Sequence, residues 1–131
     1  HNIKGCIDRC RELDLMSFVC ADTTEEAMAI SQLHPDIMNP EPSELIGTDQ
    51  SPDMAYVTRT IKAIKNIDNR IIVEIAAGIT KPEDVYKFIL AGSAGVGSAS
   101  GILNSNNPAK LLDEMVSAVR LAKDDMEKNG K

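Results

Sequence analysis

Apolar residues along the chain switch between two spacings. Ile3, Cys6, Ile7, Cys10 and Leu13 recur three and four apart, which predicts one stripe of a helix that is already under way at the first residue. Residues 16–20 are short, apolar and β-prone, so a buried strand is expected there. Thr23-Thr24-Glu25-Glu26 then has capping-box spacing, a hydroxyl for an orphan amide and a glutamate to reach back, with Ala27, Ile30 and Leu33 as the inner face. Residues 37–39 predict a second strand running into Pro40-Glu41-Pro42. Ser51, with Pro52 at the first helical position, predicts a helix whose Met54, Val57, Ile61 and Ile64 share a face.

The alternation continues. Residues 70–77 give the clearest strand, and the apolar flanks of Glu74 predict burial on both faces, as in parallel sheets. Thr80-Lys81-Pro82-Glu83 repeats the capping-box spacing, Val85, Phe88 and Ile89 supply the next stripe, and Ala91-Gly92 ends it. A fourth strand at 94–98 leads to Asn107 and Pro108, which start a helix with Leu112, Met115, Val116 and Val119 inward. Residues 123–131 read as a charged, frayed terminus.

Four strands alternating with helices predict an α/β protein with parallel strands and right-handed crossovers. An open doubly wound sheet and part of a β/α barrel both fit. A whole eight-fold barrel takes about 250 residues, and the 131 residues here would supply roughly half of one, as a single domain over 1–131. Because the chain opens on His1 inside a helical pattern, a piece of something longer is expected.

Composition narrows the function. Two Tyr, two Phe and no Trp leave the core to Ile, Val, Leu, Met and Ala. A net charge of −6 and a pI near 4.8 argue against nucleic acid or anionic membrane as partners, so an anionic ligand would have to be held locally. The chain has neither 18 uninterrupted apolar residues nor a secretion signal, and a cytoplasmic location is expected. Cys6, Cys10 and Cys20 are odd in number and lack CxxC spacing; they read as reduced, buried small hydrophobes, with no metal and no cofactor expected.

In either architecture ligands sit beyond the C-terminal ends of the strands. After the second strand Glu41 stands between two prolines, where it fits a general base held in place or a solvated loop carboxylate. After the third and fourth strands Ala77-Gly78-Ile79-Thr80 and Gly97-Ser98-Ala99-Ser100-Gly101 offer small residues, bare amides and hydroxyls at helix starts. That is either a phosphate cradle or simply tight turns.

Glu41-Pro42-Ser43-Glu44-Leu45-Ile46-Gly47-Thr48 closely resembles the E-P-x-E-L-I-G-T loop of archaeal-type triosephosphate isomerase. Ala77-Gly78-Ile79-Thr80 falls where that family has A-G-I-[ST], and Ala99-Ser100-Gly101 where it has A-S-G. The resemblance implies the C-terminal half of a (β/α)8 TIM barrel, from the fourth helix through the eighth. It implies Glu41 as the base interconverting glyceraldehyde 3-phosphate and dihydroxyacetone phosphate, a glycolytic and gluconeogenic reaction without a cofactor. Pro42, Ser43, Glu44, Ile46, Gly47 and Thr48 would belong to a closing lid. Gly47, Thr80, Ala99 and Ser100 would bind the substrate phosphate.

The family's phosphate-side Lys and electrophilic His lie upstream of this chain; His1 falls within a helix and has no implied role. His34 reads as a surface or capping residue, and Glu74 has no catalytic role. Asp49 stands where the family usually has Gly, and Pro40 before the base is unusual. The other expectations are a different phosphate-binding barrel, such as a phosphosugar epimerase or synthase, and a non-catalytic half-barrel module. As a half-barrel the chain would form a homo-oligomer or associate with the missing N-terminal half.

Overall fold

A computed structural model describes residues 2–130; His1 and Lys131 lie outside the described residues. Helix α1 (Asn2–Glu12) precedes a βα alternation of β1 (Phe18–Ala21), α2 (Thr24–Ser31), β2 (Ile37–Pro40), α3 (Met54–Ile67), β3 (Ile72–Ile75), α4 (Pro82–Leu90) and β4 (Gly95–Val96). A short α5 (Ser100–Leu103) and a long α6 (Pro108–Lys128) follow. The four strands form one parallel sheet in the order β1-β2-β3-β4. This is an α/β half-barrel, and parallel pairing puts every strand exit on one edge.

Register divides the sheet into two faces. Met38 pairs with Val73, and Ile75 with Val96; Met38, Val73 and Ile75 are fully buried against Val57, Ile61 and Ile64 of α3 and Val85 and Phe88 of α4. Each such side chain removed from water contributes about 1.5–3 kcal/mol. The other face carries Phe18, Ile37 and Ile72 in one row, and Cys20 beside Asn39 in the next. One step beyond the Met38–Val73 pair sets Glu74 next to Asn39.

That second face corrects two expectations. Residues 16–20 are not a buried strand: Met16 is 62% and Phe18 51% exposed, because β1 is an edge of the sheet and this face is left uncovered at Phe18. Burial of the third strand on both faces also fails, since Ile72 is 40% exposed. The cysteines are free as expected but not buried; Cys6 and Cys20 are exposed and Cys10 half-buried, since α1 sinks only Ile7 into the core.

Helix starts follow local chemistry closely. Thr23 caps α2 by accepting from the Glu26 amide, while the Glu26 carboxylate takes the Asp22 amide, one residue before the one a capping box would use. Helix α3 begins at Met54 rather than Pro52, because the Asp53 carboxylate accepts from the Tyr56 amide at 2.8 Å. Thr80 does not cap α4. Pro82 at the first helical position forces Lys81 into extended backbone, φ −129° and ψ 138°, and makes Lys81 the cap.

Gly92 and Ser93 close α4 with amide bonds back to Ile89 and Phe88, the Schellman arrangement. Asn107 caps α6 as expected, but α6 runs through Lys128 instead of fraying at 123. It packs mainly on α4, the Tyr86 hydroxyl donating to Asp125 at 3.0 Å. This orientation buries Met115 and Ala122, leaving Leu112 and Val116 exposed.

At the opposite edge from the strand exits, Asp68 joins three segments. Its carboxylate accepts from the Arg70 amide and guanidinium and lies 2.7 Å from the His34 ring. These bonds, the Arg70 side chain foremost, hold its pKa well below the ordinary carboxylate range. Asp36 is lowered likewise by the Ser17 amide and hydroxyl. Carboxylates depressed in the folded state add stability above their ordinary value of 3.8, which is lost as pH falls toward their folded values. Asp68→Asn is therefore expected to lower Tm at neutral pH, with the gap to wild type narrowing from about pH 5 to about pH 2. A gap independent of pH in thermal melts would remove this role.

Two glycines set the spacing of the exit loops. A Cβ on Gly78, at φ +61°, would stand 1.9 Å from the Gln50 carbonyl oxygen, and one on Gly101 would stand 2.2 Å from the Ile79 carbonyl oxygen. Both obstacles are main chain and cannot swing away. Gly78→Ala is expected to cost about 2 kcal/mol or more in urea unfolding, from clash and left-handed backbone together. Gly47→Ala has the same backbone problem at φ +76° in open space, and should cost about 1 kcal/mol. Equal losses in the two variants would show that the Gly78–Gln50 approach does not matter.

Candidate active site

The exits of β2, β3 and β4 converge on a cavity of about 270 Å³. Glu41 enters it from the residue after β2, where restricted φ at Pro40 and Pro42 and an amide bond to the Ala21 carbonyl at 2.7 Å fix its backbone. Its side chain is half-buried, and Oε2 accepts from the Asn39 amide nitrogen at 3.3 Å.

Residues 42–48 divide. Ile46 and Gly47 line the cavity with Glu41. Pro42 is buried, and Glu44 turns to a groove beside Tyr56 and Arg59. The Ser43 amide donates to the Asp22 carboxylate, and the Thr48 hydroxyl donates to the Leu45 carbonyl at 2.8 Å. The loop is thus a 3-10 turn over Ser43–Leu45, anchored to Asp22 through the Ser43 amide and closed by the Thr48 hydroxyl.

The other two exits supply backbone. Ala77 and Gly78 are consecutive left-handed residues, φ +73° and +61°, and the first is a position where L residues cost about 1 kcal/mol. The Ser98 hydroxyl donates to the Ile79 carbonyl at 2.7 Å and ties the third exit to the fourth. Ala99 and Ser100 line the cavity at the start of α5. Thr80 is not in its wall but stands at the same rim, its Cγ2 3.0 Å from where a Gly101 Cβ would lie. Among the described residues, the Gly47, Ser98 and Ala99 amides donate to no protein acceptor. They are free to meet an anion.

Two lining residues had no place in the sequence reading of the site. Asn39 is 5% exposed and its Oδ1 has no hydrogen-bond partner among the described residues. Glu74 also lines the cavity; burial first, and the charge of Glu41 second, push its pKa above the ordinary value. The available signal was positional, a polar side chain at the end of one apolar strand and in the middle of the next. Among the described residues, Glu41 and Glu74 are the only charged ones in the wall, so these residues offer two carboxyl groups, hydroxyls and amides, with no cationic side chain.

Among the described residues no group of His, Cys, Asp and Glu could hold a metal ion, and no helix is long and apolar enough to cross a membrane. His34 lies at the opposite edge of the sheet from the cavity, hydrogen-bonded to Asp68.

No family model matches the chain. Among curated proteins it is 35% identical over 117 residues to a triosephosphate isomerase of Sulfurisphaera tokodaii, an alignment covering 87% of this chain and 51% of that one. It is 34% identical to one from Methanocaldococcus jannaschii over 88% of this chain and 54% of that protein. It is 35% identical to one from Sulfolobus acidocaldarius over 95% and 54%.

Among solved structures it superposes with a TM-score of 0.72 on a cube-shaped protein cage designed by fusing symmetric oligomeric domains, at 23% identity and covering 97% of this chain and 45% of that one. It superposes at 0.65 on a mutant flavocytochrome b2 with pyruvate bound, at 14% identity over 95% and 33%. Those two likenesses concern the fold alone. By sequence the chain is similar to archaeal triosephosphate isomerases over most of its own length, and it spans about half the length of the relatives it matches.

Proposed function

We propose that this chain is the C-terminal half of a triosephosphate isomerase barrel, fourth helix through eighth, and carries that enzyme's base, lid and phosphate cradle. The observation that supports it best is convergence: the loop Glu41-Pro42-Ser43-Glu44-Leu45-Ile46-Gly47-Thr48 and the two small-residue turns meet at one cavity. The reaction is interconversion of glyceraldehyde 3-phosphate and dihydroxyacetone phosphate in glycolysis and gluconeogenesis, in the cytoplasm, by proton transfer between adjacent carbons. A glutamate base under a closing loop is how triosephosphate isomerases in general work, and Glu41 takes that role by its position in the motif.

Glu41 is suited to it physically. It is tethered through its backbone and one carboxylate oxygen, and half-open to the cavity. The amides of Gly47 and Ala99, with the groups of Thr80 and Ser100, bind the phosphate; Pro42, Ser43, Glu44, Ile46 and Thr48 carry the lid. Positive charge is what the cavity wall lacks, and an enolate developing on the substrate needs it. The upstream half supplies that charge and the electrophile, and also covers the open face on which Phe18 and Ile72 are exposed. Separated from it, the chain associates with itself.

In the full-length enzyme, Glu41→Gln should lower kcat by on the order of a hundredfold or more, leaving binding of a phosphate-bearing substrate analogue within about a few-fold. The amide keeps the shape and cannot take the proton. Unchanged turnover would strip Glu41 of its role. The 131-residue chain alone should show no isomerase turnover above background and should scatter light as an oligomer; near-native turnover from a monomer would overturn the division of labour between the halves.

A further inference from the structure

Beside the candidate base lies a polar row that the proposed reaction does not use. Cys20, Asn39 and Glu74 occupy neighbouring positions on three adjacent strands, on the sheet face turned away from the helices. The middle member is half satisfied. Asn39 Nδ2 donates to Glu41 Oε2 at 3.3 Å and lies 3.6 Å from Cys20 Sγ, while Oδ1 is buried and unpartnered among the described residues. The amide's orientation is decided by Glu41, since a carboxylate only accepts and must face the nitrogen. An orphan amide oxygen costs about 1–3 kcal/mol, so Asn39 lacks a donor on the side of Glu74.

Glu74 is placed to be that donor. In a parallel sheet, residues abreast on adjacent strands lie about 5 Å apart and point the same way. Its Oε1 lies over Gly97 on the β4 side, where a Cβ would come within 2.9 Å of it, so the glycine leaves the carboxyl group room to turn toward Asn39 on β2. The titratable groups facing Glu74 are Glu41 and, across Asn39, Cys20; β4 and the loop beyond it present glycines, alanine and serine hydroxyls. Nothing cationic among these neighbours favours a charged Glu74.

We propose that Glu74 is a positioning residue that acts through Asn39: as a neutral carboxylic acid it donates to Asn39 Oδ1, and Asn39 in turn holds the carboxylate of Glu41. The upward shift caused by burial and by Glu41 agrees with the neutral form. Ionised Glu74 has no proton to offer and repels the amide oxygen, which releases the tether on Glu41. The effect on catalysis rests on the reading of Glu41 as the base; the hydrogen-bond chain does not.

Two measurements separate those layers. In this chain, labelled for NMR at Glu carboxyl carbons and Asn side-chain nitrogens, Glu74 should titrate above the ordinary carboxylate value of 4.5. The Asn39 NH2 signals should move with that same midpoint. In Glu74→Gln, whose amide donates at every pH, the Asn39 signals should lose that inflection. In the full-length enzyme, kcat of wild type should fall as pH rises through the Glu74 midpoint. Glu74→Gln should abolish that fall, and Glu74→Leu should lower kcat about tenfold or more at all pH with KM little changed.

An Asn39 signal blind to the Glu74 titration, or Glu74 ionising at an ordinary value, would overturn the proposal even if Glu74→Leu lowers activity. An intact Asn39–Glu74 linkage with Glu41→Gln still active would instead sink the base and leave the linkage standing.

Discussion

Main chain against main chain is the constraint on which the candidate site depends. Gly78 meets the Gln50 carbonyl and Gly101 meets the Ile79 carbonyl, and neither contact leaves space for a methyl group. Because β2, β3 and β4 are neighbours in the sheet, the loop after β2 is pressed onto the turn after β3, and that turn onto the helix after β4. This pressing brings Ile46 and Gly47 over the cavity that Glu41 enters. The left-handed backbone at Ala77 belongs to the same arrangement: the turn must reverse tightly enough to present Gly78 to Gln50, and well-packed surroundings hold a strained residue in place.

What could be read from the chain was what local chemistry decides. Strand–helix alternation gave four parallel strands, and Asn107 with Pro108 marked the start of α6 because capping is a matter of neighbouring residues. Where two local rules competed, the outcome needed their relative strengths. Asp53 outcompeted Ser51-Pro52 because an ionised cap bonds an amide more strongly, and Pro82 displaced Thr80 by fixing the residue before it as extended. Burial was less legible, since it depends on what lies across the sheet. Residues 16–20 and Cys20 have the composition of a core, but β1 is an edge with one uncovered face. Convergence of Glu41, Gly47, Ala99 and Ser100 followed from the rule that strand exits share a rim. The juxtaposition of Asn39 with Glu74 required the register, which no single strand contains.

The electrostatics of the cavity set a problem that geometry alone does not solve. On the proposed function a phosphate would approach a wall whose ionisable members, among the described residues, are two glutamates, in a chain of net charge −6. At about 6 Å and an effective dielectric of about 20, each carboxylate opposes a singly charged anion by roughly 3 kcal/mol. Amides at loop and helix starts return part of this through charge-assisted hydrogen bonds, but add no net positive charge.

The imbalance is resolved from both directions. On the proposed reading, a neutral Glu74 removes one of the opposing charges and leaves Glu41 as the single anion that a base must be. On the same reading, groups of the upstream half-barrel would supply the positive charge that this wall lacks. The burial that raises the Glu74 pKa involves Gly97, over which its carboxyl group lies beside the loops clamped at Gly78 and Gly101, so loosening those loops would admit water and lower the proton affinity of Glu74. Loop packing and charge balance in this cavity are therefore coupled: on the proposed reading, a substitution that opens the backbone contacts also favours the ionised form of Glu74, and an anion loses its site for both reasons at once.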